Sequence, residues 1–235
     1  HTALETFVRN HMRDIPANAV DLLLGYGRAA LDALAIPPEV EAFWWPRFEK
    51  IAAAFVEVER AWRAQGNAPY SLEKRGELHW DDFTLIGKAD RIDRMTDGYA
   101  IIDYKTGAPP SRGEVAGGLS PQLPLEALML RHGAFPEVPA GATALMAYWR
   151  TSGTGDEPVK AMPVNDGKKD SLTADELVDA AQAGLRNLID TFDNPLAAYV
   201  CQPRGDAKPK GTDYDHLARI KEWGVSGDDD AEDAA

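Results

Sequence analysis

Apolar residues at the start of the chain fall on one face of a helix: Leu4, Phe7, Val8 and Met12. The stretch "ANAVDLLLGYGRAALDAL", after Pro16, keeps that spacing and predicts a second helix. "PPEVEAFWWPRFEKIAAAFVEVERAWRAQG" predicts a long third helix. It should break or kink at Pro46, which lacks the backbone donor, and stop at Gly66. The first third of the chain therefore reads as helical.

After Gly66 the period changes to two. "YSLEKRGELHW" and "FTLIGKADRID" alternate as strands do, and "YAIIDYK" is a third strand with an apolar centre. "LSPQLPLEALMLRHG" returns to helix, with Ser120 as N-cap and Pro121 at the first helical position. "ATALMAYWR" predicts a strand, "TSGTGDEP" a loop and "VKAMPV" a short strand. "LTADELVDAAQAGLRNLIDTFDNP" predicts a helix that opens on Thr173 and Glu176, the spacing of a capping box. "CQPRGDAKPKGTD" reads as a loop and "DYDHLARIKEWG" as a last short helix. No repeat and no internal boundary interrupts this order. We expect an α/β domain over residues 1–225, with a helical N-terminal portion, and an acidic, disordered tail at 226–235 ending in "GDDDAEDAA".

Composition narrows the function classes. With 235 residues and 44% hydrophobic content the chain can bury a substantial core. A net charge of −13 argues against a broad basic surface for nucleic acid. It leaves room for a local site where a divalent cation offsets the acidic field. The single cysteine, Cys201, rules out an internal disulfide framework and an all-cysteine metal cluster, and a reducing cytoplasm is the simplest setting. Nothing resembles a signal peptide or a bilayer-spanning run, so a soluble domain is expected. A first residue other than methionine suggests a fragment, a processed chain or a trimmed one.

The candidate chemistry lies in "IGKADRIDRMTDGYAIIDYKTG", residues 86–107. A two-residue turn at Asp97-Gly98 would pair Thr96 with Tyr99, Asp90 with Lys105 and Ile92 with Asp103. Side chains alternate along a strand and cross-strand partners share a face. Asp90, Asp103 and Lys105 then share one face, and Asp93 points to the other. Two carboxylates ~5 Å apart repel by roughly 3 kcal/mol at an effective dielectric near 20. A divalent cation reverses that sign, and carboxylate oxygens with water suit Mg²⁺ or Mn²⁺. Lys105 could orient or help deprotonate an attacking water and stabilise charge developing on phosphorus. The alternative is a salt-bridged surface hairpin in which Lys105 pairs with Asp90, and the residues alone leave both readings open.

"GKADRID", then "IIDYKTG", then "QLPLEAL" resembles the nuclease core of the RecB-type branch of the PD-(D/E)XK superfamily. Asp90 matches the aspartate of that branch's first strand motif. Asp103-Tyr104-Lys105 matches its Asp-X-Lys, and Gln122 the glutamine of its helix motif. His1, followed by Leu4 and Glu5, matches the early histidine, although a residue left by a tag is the other reading. "QLPLEALML" and "YDHLARIKEW" are similar to the AddB-type nuclease domains of bacterial AddAB helicase-nucleases. Two features depart from the pattern. Glu126 stands where the helix motif has tyrosine, and one cysteine cannot supply the four that hold an iron-sulfur cluster in many AddB relatives.

The resemblance implies a restriction-endonuclease-like α/β fold, a central mixed sheet flanked by helices. It implies a Mg²⁺- or Mn²⁺-dependent DNA exonuclease that hydrolyses phosphodiester bonds, with no iron-sulfur cluster. His1, Asp90, Asp103 and the backbone carbonyl of Tyr104 would bind the metal. Lys105 would position or activate water, and Gln122 would orient Lys105 or the scissile phosphate. Single-stranded DNA delivered by a helicase would be the substrate, an AddA-type subunit the partner, and double-strand break repair the setting. The alternatives are a standalone RecB-like or Cas4-like nuclease, the latter disfavoured by the lack of cluster cysteines, or a catalytically weak domain kept for structure or DNA binding.

Other candidates are weaker. Glu77 could reach the metal through water, although a solvated strand position is the plainer role. Asp93 is expected to pair with Arg91, Arg94 or a helix end. His11, His79, His132 and His216 show no ligand spacing. Phe43, Trp44, Trp45, Phe48 and Phe55 are expected in the core, with base stacking as the lesser alternative. Lys208 and Lys210 could touch phosphates, and Cys201 should be an apolar filler.

Overall fold

The computed structural model describes residues 1–165 and 172–199. Cys201, the loop with Lys208 and Lys210, the last predicted helix and the acidic tail lie outside the described residues. The chain divides into two units, His1–Ile189 and Asp190–Ala235. In the described part of the second unit, the rings of Phe192 and Tyr199 stack with centroids 4.7 Å apart.

The elements run α1 (Thr2–Asn10), α2 (Ala19–Leu34), α3 (Pro38–Ala64), β1 (Ala68–Trp80), β2 (Phe83–Met95) and β3 (Gly98–Lys105). They continue with α4 (Arg112–Ala116), α5 (Gln122–Arg131), β4 (Thr143–Thr151), β5 (Val159–Pro163) and α6 (Ala174–Phe192). The five strands form one sheet in the order β1-β2-β3-β4-β5. Neighbours are antiparallel except β3 and β4, which run parallel. That parallel step needs a crossover, and α4 and α5 supply it.

The mixed sheet flanked by helices is the α/β fold expected. β3 is the central strand, so both of its faces are covered and its apolar run does not alternate. On one face Ile92, Ile101 and Met146 pack with Leu123, Ala127 and Leu128 of α5 and with Leu177 and Val178 of α6. On the other, Ala100, Ile102, Ala147 and Trp149 pack with Leu4 and Phe7 of α1, Leu23 of α2, and Phe55 and Val56 of α3. Each fully buried Leu, Ile, Val, Phe or Met side chain among them contributes roughly 1.5–3 kcal/mol.

Two expectations need correction, and one helix was not expected. α3 runs unbroken through Pro46. The proline removes one backbone hydrogen bond, but Ala52, Phe55 and Val56 are buried beyond it and hold the helix to the sheet. α5 begins at Gln122 with Pro121 as its N-cap, one residue later than predicted. α4, which the apolar pattern was too short to reveal, starts on a full capping box between Ser111 and Glu114.

The aromatic cluster divides. Phe55 is buried and Phe48 lies against Gly27, where a Cβ would come within 2.0 Å of its ring. Phe43 and Trp44 are 58% and 48% exposed, with Arg47 over both rings. No helix among the described residues is long and apolar enough to cross a membrane.

Candidate active site

β2 and β3 pair through Met95 with Gly98, Arg94 with Tyr99, Ile92 with Ile101 and Arg91 with Ile102. The loop is therefore Thr96-Asp97, and the register differs by two residues from the one expected. Gly98 explains the difference. It is a strand residue with φ 142°, and a Cβ there would lie 2.5 Å from the Ala142 carbonyl oxygen. Only glycine fits that approach, so Gly98 cannot serve as the loop tip. A shift of two keeps the paired side chains on their predicted faces but changes their neighbours. The ladder ends at Arg91 and Ile102, so Asp90 is not paired across from Lys105.

Lys105 accordingly turns to Asp103. Its Nζ lies 2.8 Å from Asp103 Oδ2 and donates to Gln122 Oε1 at 3.2 Å. Gln122 sits at the start of α5, and its Nε2 donates to Asp103 Oδ1 at 2.7 Å and to Glu126 Oε1 at 3.1 Å. Both amide hydrogens are thereby used. Glu126, one turn further along α5, is 4% exposed. Burial pushes its carboxyl up to about 8, and the charges of Asp103 and Asp90 push the same way against the Gln122 hydrogen bond. Asp103 is raised as well, first by burial and then by the charge of Asp90, with Lys105 opposing.

Asp90 reaches the opposite layer. Its Oδ2 meets His1 Nε2 at 2.9 Å and accepts from the backbone N–H of Tyr104 at 3.1 Å. His1 is the N-cap of α1, the helix that packs on the Trp149 side of the sheet. Burial is the largest influence on Asp90 and pushes it up, but the His1 and Tyr104 hydrogen bonds prevail and leave it lowered. His1 is raised, chiefly by its bond to Asp90. Tyr104 was expected to offer its carbonyl, and the contact the structure shows is through its amide.

The site thus straddles the sheet. His1 comes from the helical layer on one face and Gln122 from the helix on the other, and the two aspartates sit between them. A carboxylate absent from the expectations completes one side. Glu73 of β1 lies with its Oε1 3.2 Å from His1 Nδ1, and its second oxygen pairs with Lys88. Ligand atoms of His1, Glu73 and Asp90 all lie within 4.8 Å of one another. One nitrogen and carboxylate oxygens at this spacing fit a divalent cation of the Mn²⁺ or Mg²⁺ type. Asp103 is tied to Lys105 and Gln122 instead. Glu77, the β1 carboxylate weighed from sequence, is half exposed and lies 3.5 Å from Arg75.

Asp93 lies on the far face, as its parity predicts. Arg91 grips it through Nε and Nη2, both at 2.7 Å, and Trp62 Nε1 donates to it at 2.7 Å.

A family profile described as the PD-(D/E)XK nuclease superfamily matches residues 1–204. An uncharacterized protein of Rickettsia bellii is 30% identical over 140 residues, which is 57% of this chain and 17% of that protein. Uncharacterized proteins of Rickettsia conorii and Rickettsia felis are each 32% identical over 144 residues, with the same coverage. The match with this chain therefore spans about one sixth of the length of these curated relatives.

Proposed function

This chain belongs to the PD-(D/E)XK nuclease superfamily, and from that premise we propose that it is a Mg²⁺- or Mn²⁺-dependent deoxyribonuclease acting on single-stranded DNA. The observation that carries the reading is the meeting of two groups at the end of the β2–β3 ladder. One is His1 with Asp90, and the other is Asp103 with Lys105 and Gln122.

His1 and Asp90, with Asp103 and the Tyr104 carbonyl, would hold the cation. Bound there, it neutralises phosphate charge and makes water a better nucleophile at neutral pH. The remaining work falls to the chain's own groups. Attack of water forms a new P–O bond as the bond to the departing oxygen breaks; the water gives up one proton and the departing oxygen takes one up. Lys105 is the cation next to that attack. Held between Asp103 Oδ2 and Gln122 Oε1, its ammonium can orient water and stabilise the charge that builds on the phosphoryl oxygens. With both amide hydrogens committed, Gln122 serves to orient Lys105 rather than to grip the phosphate.

The finer setting is a nuclease domain of the AddB type within a helicase-nuclease for double-strand break repair, with an AddA-type partner. Three features support it: the resemblance in "QLPLEALML", relatives far longer than the matched segment, and a net charge of −13, which makes unaided capture of DNA weak. A helicase that feeds the strand would remove that difficulty.

Incision of a labelled single-stranded oligonucleotide in Mg²⁺ or Mn²⁺ tests the reading. Cleavage by the wild type, lost by at least about 100-fold in Lys105→Ala with the fold intact by circular dichroism, is the expected result. Undiminished cleavage by that variant would overturn the assignment. Strong processive digestion by this chain alone at physiological salt would remove the need for helicase delivery.

A further inference from the structure

Glu73 sits in the middle of β1 with φ 51°, the left-handed region that a residue with a Cβ enters at a cost. The β1–β2 ladder reflects it: Leu72 pairs with Arg91 and Lys74 with Ala89, but Glu73 and Asp90, between them, are not paired. The inward face of the hairpin changes at the same point. Leu72 packs with the α1–α3 layer, whereas Leu78 and Ala89 pack with the α5 layer. Gly76 and Gly87 lie against Phe135 and Met129 of that second layer. A glycine at position 73 would make this switch without strain, yet the chain places a glutamate there. The side chain so placed faces His1 Nδ1, on the opposite edge of the imidazole from Asp90.

We propose that Glu73 is a positioning residue that acts through His1, fixing the imidazole with Nδ1 protonated and Nε2 free for a divalent cation beside Asp90. The inference rests on the metal-dependent reading above. An imidazole that gives one nitrogen to a metal must keep its proton on the other, and a carboxylate at that second nitrogen sets both tautomer and ring orientation. Lys88, paired with the other oxygen of Glu73, offsets the charge the carboxylate brings close to Asp90. The backbone strain is the structural cost of holding the carboxylate there.

Mn²⁺ binding to the protein, followed by electron paramagnetic resonance, tests this in wild type, Glu73→Gln, Glu73→Gly, His1→Ala and the His1→Ala/Glu73→Gln double variant. Glu73→Gln should weaken Mn²⁺ about 10–100-fold. Glu73→Gly should weaken it as much while raising the melting temperature, because glycine relieves the strained φ, and a merely structural glutamate would not separate the two effects. In the His1→Ala background, Glu73→Gln should change nothing further. Nitrogen chemical shifts of His1 in the Mg²⁺-loaded protein should show the Nδ1–H tautomer in wild type and a mixture in Glu73→Gln. Unchanged Mn²⁺ affinity in both Glu73 variants would overturn the proposal and leave the nuclease reading standing. Additive losses in the double variant would also overturn it, because Glu73 would then be a ligand in its own right. Absence of Mn²⁺ binding by the wild type would overturn both.

Discussion

Arg91 and Asp93, two residues apart on β2, meet as a parallel fork, Nε to Oδ1 and Nη2 to Oδ2, each at 2.7 Å and with both side chains fully buried. Arg91 also donates to both oxygens of Glu59 on α3, at 2.7 and 2.9 Å, and to the Tyr104 hydroxyl at 3.0 Å. The strand therefore carries two adjacent charge systems, Asp90 bonded to His1 at the candidate site and Arg91 with Asp93 bonded to Glu59 beneath α3. Burial is the largest influence on Glu59 and pushes it up, yet Arg91 and Arg63 outweigh it and keep the carboxyl lowered.

Arg91→Leu should therefore destabilise the protein by about 3–5 kcal/mol, since Glu59 and Asp93 would stay buried without their shared cation. Urea unfolding measures it. Replacing Arg91, Glu59 and Asp93 together with apolar residues should recover most of that loss, because the isolated charges are what cost. A loss under about 1 kcal/mol for the single change would mean that water enters the cluster freely.

Gln122→Leu should lower kcat about 100-fold on single-stranded DNA while leaving KM within a few fold. Leucine removes the acceptor at 3.2 Å from Lys105 Nζ and the donor at 2.7 Å from Asp103 Oδ1, so the ammonium loses its fixed place. Steady-state kinetics decide the matter. A raised KM with kcat unchanged would place Gln122 on the substrate phosphate instead.

The sequence and the structure part company at identifiable places. The hairpin's parity was legible along the paired residues because charged residues interrupt apolar runs and parity survives a register shift of two, but Asp90, past the end of that ladder, turns to His1 instead of sharing the Asp103 face. Register itself was not legible, because Gly98 reads as a turn residue until the Ala142 carbonyl beside it is known. Asp90, Asp103, Lys105 and Gln122 were nameable from their spacing and from the resemblance, and the structure brings them into one neighbourhood. Glu73 was missed because its place depends on a left-handed residue inside a strand, which no alternation pattern encodes. Trp44 and Phe43 were assigned to the core by helical spacing, but they stay exposed, with the Arg47 guanidinium over their rings.

Glu126→Gln should change how stability depends on pH in metal-free protein. The folded protein holds the proton of Glu126 up to about 8, against an ordinary value of 4.5, so the folded state binds more protons than the unfolded one between those values. Stability should then fall as pH rises across that window, by at most ~1.4 kcal/mol per pH unit from this group. Glutamine cannot ionise and keeps an acceptor for Gln122. The variant should match wild type near pH 4 and exceed it near pH 8, as denaturant midpoints would show. Parallel curves for the two proteins would mean that Glu126 is ionised in the fold.

Metal affinity should depend on pH in the opposite sense, and the reason lies in His1. Its hydrogen bond to Asp90, helped by the charges of Asp90, Glu73 and Asp103 and opposed by burial, raises the imidazole above its ordinary 6.5. In the metal-free protein the protonated ring and Asp90 stabilise each other. That contribution is full below 6.5 and is lost as pH climbs through the raised value. A cation that takes Nε2 must displace the proton, so binding competes with protonation over the same interval. Mn²⁺ affinity should rise with pH by up to about tenfold per unit and level off above the raised value. In His1→Ala the component of this rise due to the imidazole should vanish, leaving weaker binding with a flatter profile. Calorimetry at several pH values in buffers of differing ionisation enthalpy would count the proton released. Identical affinity and no proton release from pH ~6 to ~8.5 would show that the imidazole takes no part in holding the cation.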